Sequence, residues 1–323
     1  MTRYLIRRSI QLLFTLWVTS VLTFLVFVKL PPGDPAIRLA GKAPRPEVLA
    51  AIRERIGLND PLLEQYARFA KGLVPLPGWF LNEQVYYSWR NKVVVKDELA
   101  RRAPYTAVLA LGGIVLWLLI GIPLGILSAV RRGSFADRIT MFFALIGISM
   151  PSFWLGMVLI FIFYFQLGVA PPTGVEIGGD VWDTLFAGKF VLGWFSVAIT
   201  SAAYYARLVR GNMLEVQSED YVRTARAKGL SERKVIVRHQ MRSSLTPVVT
   251  TLGLDIAALL GGLPITERVF SIPGIGLYAL ESLNRADFPA VMAVTIISAL
   301  LIIFANLFVD ILYAVLDPRV RYS

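Results

Sequence analysis

Two carboxylates stand where a carboxylate is costly. Asp255 interrupts the otherwise charge-free run Ser243–Thr266, and Asp310 directly follows the charge-free run Phe288–Val309. A charge inside a bilayer is kept for pairing, for a water-filled path, or for proton or cation transfer. Asp310 lies within a couple of turns of a membrane edge and is expected to form a structural pair with an arginine of a nearby loop. Asp255 lies deeper, and two roles stay open for it: lining a path or pairing with a neighbouring helix. Pro151, in the apolar string Met150-Pro151-Ser152-Phe153-Trp154, is a further path or gate position. Proline removes a helical hydrogen bond and bends a helix, which suits an element that must adopt two shapes. Glu267 sits at the head of "TERVFSIPGIGLYALESLNRADF", a loop too apolar to hang free, and is a candidate for an outer gate or platform.

Thiol chemistry and most histidine-based catalysis are excluded by what is missing. The 323 residues include no cysteine and one histidine, His239, so thiolate sites and multi-histidine metal sites are ruled out. Gly274-Ile275-Gly276-Leu277-Tyr278-Ala279 satisfies a dinucleotide fingerprint by letter, but no strand precedes it. Gly147-Ile148-Ser149 lacks the last glycine of a nucleophile elbow, and neither Gly41-Lys42 nor Gly188-Lys189 completes a phosphate-binding loop. The chain is expected to bind no nucleotide or cofactor itself.

Hydrophobic residues make up 56% of the chain, and the mean hydropathy is +0.61. The excess is concentrated in blocks: Ser9–Val28, Ala103–Val130, Ile139–Val175, Phe190–Ala206, Ser243–Thr266 and Phe288–Val309. A helix needs about 20 apolar residues to cross the hydrocarbon core, so these blocks predict an all-α polytopic membrane protein with six spans. The fourth extends past Ala206 with Arg207 snorkelling. The net charge of +11 would suggest nucleic acid in a soluble protein. Here it follows the positive-inside rule. The N-terminus, Arg131–Arg138 and Arg207–Arg242 are basic, the last with nine Lys/Arg against four acids, while Glu176–Lys189 is acidic. Both termini are therefore expected on the cytoplasmic side, and the partners to include membrane lipid but no nucleic acid.

Between the first two spans, Pro46 opens a helix that stops at Gly57, and Pro61 opens a second. They predict a small outer cap. The aromatic segment 74–92 is expected near the headgroups. The most polar run, "YVRTARAKGLSERKVIVRHQMR" over 221–242, lies between the fourth and fifth spans. Ser218 reads as an N-cap, Gly229 as a left-handed C′ residue and Ser231 as the cap of a second helix. Ala225, Ala227 and Gly229 thin the side chains so that another surface can come close. This predicts a charged helix-turn-helix docking device on the cytoplasmic face.

The stretch "DYVRTARAKGLSERKVIVRHQMRSSLTPVV" resembles the cytoplasmic loop of binding-protein-dependent ABC importer permeases, in the dipeptide/oligopeptide/nickel branch. It is most similar to the first of that branch's two paralogous membrane subunits. "MTRYLIRRSIQLL", "LPPGDPA", "LIGIPLGILSAVRRGSFADR", "GISMPSFWLGMVLI" and "NLFVDILYAVLDPRVR" extend the resemblance over all six spans. The wider family's E-A-A-x-x-x-G falls on Arg223-Thr224-Ala225 and Gly229, without the Glu, as the peptide branch typically has it.

The resemblance implies the type I ABC importer transmembrane fold. It divides the chain into an N-terminal span with outer cap (1–100), a five-helix core (101–317) with coupling loop 211–242, and a cytoplasmic tail (318–323). It also implies a paralogous permease, two ATPase subunits that bind ATP and Mg, and an extracytoplasmic solute-binding protein. Ala225, Ala227 and Gly229 would then permit close approach to the ATPase, with Arg223, Arg226 and Lys228 as the charged rim. Import of di- or oligopeptides across the cytoplasmic membrane is the implied activity, with nickel chelates or other peptide-like solutes as the alternative. An ion-coupled secondary transporter using Asp255 and Asp310, and a scaffold that recruits a signalling partner, are the rival classes.

Overall fold

The structure is a computed structural model that describes residues 2–29, 34–40, 45–74, 80–81 and 85–316. Among the described residues it is helical, with one isolated antiparallel bridge between Tyr87 and Val94. Helix α1 (Thr2–Phe24) continues through a π-helical turn to Lys29. The expected cap follows as α2 (Pro35–Ala40), α3 (Pro46–Ile56) and α4 (Leu62–Lys71). Helix α3 begins and stops as its proline and glycine predict, with Gly57 turning left-handed at φ 70°. Pro61 is the N-cap of α4 rather than its first residue. The unforeseen α2 is held by Asp34, whose carboxylate accepts from the Ala36 N–H at 2.8 Å and from Arg53 Nε at 2.7 Å.

Of segment 74–92, residues 74, 80–81 and 85–92 are described. Tyr86 is fully buried, its ring 5.9 Å from that of Phe69, which in turn packs 5.6 Å from Phe24 of α1. Burial of these clustered aromatics against one another ties the segment to α4 and α1.

Helix α5 (Val95–Val130) has 36 residues and contains Pro104 and Pro123 without breaking. At 1.5 Å per residue it is longer than the roughly 30 Å hydrocarbon core, so its Asp97–Glu98 start projects beyond the bilayer. Helices α6 (Phe135–Ser149) and α7 (Ser152–Leu159, prolonged by a π-helical turn to Gln166) meet at 103°. The bend expected at Pro151 is thus a complete break. Met150 is extended at φ −87° and ψ 128°, and Pro151 is the N-cap of α7. The ring of a proline drives the preceding residue out of the helical region, and no tertiary contact reverses that here.

A short α8 (Val181–Phe186) leads to α9 (Val191–Gln217), whose 27 residues carry it well past the expected end of the fourth span. The polar device comprises α10 (Asp220–Ala227), α11 (Glu232–Lys234) and α12 (Met241–Ser244), the last two joined by a π-helical turn. Then come α13 (Thr246–Leu260), α14 (Pro264–Val269), α15 (Ile275–Asn284) and α16 (Phe288–Leu316). Stretches Ile10–Lys29, Val95–Val130 and Phe288–Leu307 are each long and apolar enough to cross a membrane, and the bent α6–α7 pair makes a fourth candidate. With α9 and the shorter α13, the order of apolar helices is consistent with six spans.

The centre of the molecule is the α5–α9 pair. Gly121 and Gly125 lie one turn apart on α5, and α9 presses against them. A Cβ at Gly121 would stand 2.9 Å from the Ala202 carbonyl, and one at Gly125 would stand 2.6 Å from that of Ala206. Small residues at i and i+4 let two helical backbones approach this closely, and in lipid that packing is a main source of helix association. Trp117 and Tyr205 extend the same interface, their ring centroids 5.8 Å apart.

Candidate functional site

The polar device is built on its own small core. Val222, Ala225 and Val235 are buried together, with Val216 and Leu230 packed against them. Helix α10 ends in a Schellman motif: the Gly229 N–H donates to the Arg226 carbonyl at 2.9 Å and the Leu230 N–H to that of Ala225 at 3.4 Å. Gly229 supplies the left-handed φ of 74° that this requires. At the other end the expected cap is displaced. Ser218 closes α9, donating its hydroxyl to the Glu215 carbonyl at 2.8 Å, and Glu219 takes the N-cap position of α10. Ser231 does precede α11, but its side chain makes no capping bond. The second helix is not a separate unit either, since the π-helical turn carries it into α12 and on toward α13.

The expected docking residues are therefore split between two faces. Arg223, with a side chain 69% exposed, and the exposed Ala227, Lys228 and Gly229 share the outer surface. Ala225 does not: it is 5% exposed and packs inward. It belongs to the device's own core with Val222 and Val235. Arg226 forks onto Glu232, with Nη2 2.7 Å from Oε1 and Nε 3.2 Å from Oε2. This hydrogen-bonded pairing holds the Glu232 carboxyl below its usual range and raises the Arg226 guanidinium. Arg226 thus braces α10 against α11 instead of serving as a free rim charge. The sequence reading missed Tyr221, 43% exposed on α10. Its one signal was an aromatic residue standing alone in a polar run.

The base of α9 is fixed by an acid inside the basic stretch Arg131–Arg138. Asp137, 4% exposed in the first turn of α6, accepts from Arg210 Nε at 2.7 Å and Nη2 at 2.9 Å. It also accepts from the Gly133 N–H at 2.8 Å and from the Ser128 hydroxyl. One carboxylate thereby joins the end of α5, the α5–α6 turn and the helix that leads into the polar device.

Asp255 is bonded to a neighbouring helix, one of the two roles left open for it. Its Oδ2 accepts from the Tyr205 hydroxyl of α9 at 2.7 Å. It also lines a half-open cavity of about 380 Å³ walled by residues of α5, α6, α9 and α13. Pro151 is exposed at the α6–α7 break and is not among the residues lining this cavity. The side chain of Asp310 lies outside the described residues.

Glu267 is fully buried and does not line that cavity. Its carboxylate accepts from the Thr106 hydroxyl of α5 at 2.8 Å and from the Leu277 N–H at 2.6 Å. The same Thr106 oxygen accepts from the Ile275 N–H at 2.8 Å. Burial pushes the Glu267 carboxyl up, against the pull of these hydrogen bonds. Glu267 and Thr106 together receive N–H groups from the first turn of α15 and clasp the outer loop to α5. Ser88 and the Trp89 N–H bind the carboxylate of Asp287 in turn, joining the cap to the start of α16.

Two family models match the chain: the binding-protein-dependent transport system inner membrane component over residues 121–322, and the N-terminal part of such components over residues 1–110. The chain is 38% identical over 323 residues, all of both chains, to the glutathione transport system permease protein GsiC of Shigella boydii serotype 4 (strain Sb227). It is equally 38% identical over full length to the protein of that name from Escherichia coli (strain K12). Among solved structures it resembles a chain of the MetNI methionine ABC transporter in inward-facing conformations, with a TM-score of 0.53. That likeness covers 69% of this chain and 97% of the other at 15% identity, and it shows the shared fold.

Proposed function

Because the chain belongs to the family of binding-protein-dependent transport system inner membrane components, we propose that it is the permease subunit of an ATP-driven importer of short peptides or peptide-like solutes. Full-length similarity to glutathione transport permeases supports peptide-like cargo ahead of nickel chelates. A solute-binding protein delivers the cargo from outside, a paralogous permease completes the path, and two ATPase subunits bind ATP and Mg on the cytoplasmic side. Both termini are cytoplasmic in this reading, which the basic excess around Arg131, Arg132 and the 220–242 device supports.

The observation that carries the proposal is the folded device over α10 and α11. A mere topogenic loop needs charge only. This one has a buried core, a Schellman turn and an internal ion pair, and it stands on α9, a helix that also walls the intramembrane cavity. Arg223, Ala227, Lys228 and Gly229 form the face offered to the ATPase, while Ala225 and Arg226 hold that face in shape. The absence of native cysteine makes the test clean. Ala227→Cys, in the assembled transporter with single cysteines around the ATPase groove, is expected to crosslink with a yield that changes when ATP is added. A thiol reachable from the cytoplasm that crosslinks at no groove position would refute the docking.

Gly229→Trp provides a functional counterpart. No atom lies within 4 Å of where its Cβ would be, so the device can accommodate the bulk toward the partner side. The left-handed φ adds about 1–2 kcal/mol of local strain. Insertion and complex abundance are expected to persist while ATP-driven uptake is lost. Uptake at the wild-type rate by that variant would exclude this turn from the docking face.

A further inference from the structure

We infer that the Asp255 cavity is a transit subsite for the free amino end of the cargo, its ammonium group. The inference rests on the reading of the chain as a permease for peptide-like solutes.

Trp117, one of the lining residues, lies midway along the charge-free run Ala103–Val130, so the cavity is near mid-depth in the bilayer. There Asp255 has a single hydrogen bond, from Tyr205, and no lysine, arginine or histidine pairs with it among the described residues. A carboxylate offers about four acceptor positions, so most of its capacity is unused. A bare charge at this depth calls for a cationic partner.

The indole Nε1–H of Trp117 and the Oγ1 of Thr200, both on residues of the wall, have no hydrogen-bond partner among the described residues, but both atoms are closed off from the cavity space, so Asp255 is the charged group the cavity offers. Tyr204, Tyr205 and Trp117 add aromatic surface, which attracts an ammonium further.

An inorganic ion fits less well. Calcium takes 6–8 oxygen ligands, and no cluster of three or more acidic or histidine residues that could hold a metal occurs among the described residues. The cavity of about 380 Å³ has room for roughly a dozen waters at about 30 Å³ each, far more than a proton relay or a desolvated ion requires. A carboxylate with unused acceptor positions and aromatic faces in a residue-sized space match the ammonium end of a peptide.

The test uses the nucleotide-free complex of permease, its paralogue and the ATPases in nanodiscs, without the binding protein. Binding of tri-alanine and of N-acetyl-tri-alanine is measured in sodium and in choline buffer. Tri-alanine is expected to bind saturably, and N-acetylation to weaken it by about ten-fold or more, the scale of one charge-assisted hydrogen bond. Asp255→Asn is expected to weaken tri-alanine to a similar degree and to abolish the difference between the two peptides, while Asp255→Glu restores part of it. Equal affinity of the two peptides for the wild-type complex, no saturable tri-alanine binding, or binding that requires sodium would each overturn the proposal. The acetylation comparison needs no variant, so it holds even if Asp255→Asn assembles poorly. ATP-driven uptake of tri-alanine and glutathione with the binding protein present is followed in parallel. Uptake without an amine preference at Asp255 removes the subsite alone, whereas no uptake of either removes the peptide-importer reading itself.

Discussion

Asp137→Ala is expected to destabilise the permease by about 3 kcal/mol and to abolish assembly with its ATPase. Removing one partner of a buried ion pair leaves an uncompensated charge, at a cost of about 3–5 kcal/mol. The lower end applies because the Arg210 side chain keeps 25% of its surface exposed. The loss is not confined to one bond. Asp137 receives Arg210, the Gly133 N–H and the Ser128 hydroxyl together, so its removal frees the α5–α6 turn as well as the base of α9. Arg210→Met should be similarly harmful, since it strands the carboxylate. The double variant Asp137→Ala/Arg210→Met should lose clearly less than the sum of the two, because residues in one network couple by about 0.5–3 kcal/mol. Thermal unfolding midpoints of the purified complex for the four forms would decide the matter. Strictly additive losses would mean that Asp137 and Arg210 act separately.

Gly125→Val is expected to prevent α5 and α9 from closing and to leave no folded complex. Its side chain would start 2.6 Å from the Ala206 carbonyl and 2.7 Å from the Val209 Cβ, and the first of these is backbone that cannot rotate away. Overpacking typically costs about 1–3 kcal/mol where side chains can adjust, and here the whole helix pair would have to separate. Gly125→Ala should already reduce the yield of monodisperse complex. Gly211→Ala, on α9 where a Cβ meets nothing within 4 Å, is the contrasting case and should be neutral or mildly stabilising. Size-exclusion profiles of the three variants measure this directly. Equal yields from Gly125→Val and the wild type would mean that α5 and α9 do not pack through these glycines.

The polar device shows how far local sequence reaches. Gly229 was legible as a left-handed terminus because no other residue adopts that conformation cheaply, and the structure has it at φ 74°. Ala225 and Ala227 look alike in sequence, yet one is buried and the other exposed. Their difference depends on where Val235 returns after the turn, which no local rule specifies. Arg226 reads as a surface charge until Glu232 is brought opposite it. Ser218 reads as a cap until α9 runs on to meet it.

The same division holds across the membrane domain. Hydrophobic blocks, flanking charges and helix-breaking residues follow from short-range physics: the cost of a bare backbone or charge in lipid, the missing N–H of proline, the freedom of glycine. These were sufficient for an all-helical membrane protein, the short helices between its first two spans, a folded polar device before the fifth and a distortion at Pro151, though not the complete break found there. What they left open are contacts between residues far apart in the chain. Thr106 meets Glu267, Ser128 and Arg210 meet Asp137, Ser88 meets Asp287, and Tyr205 meets Asp255 beside an unpaired indole N–H. Each joins groups whose chemistry is visible in sequence but whose partner is chosen by helix packing alone. A lone carboxylate announces that it needs company; only the tertiary structure decided that Glu267 and Asp137 have theirs, and that Asp255 has room for more.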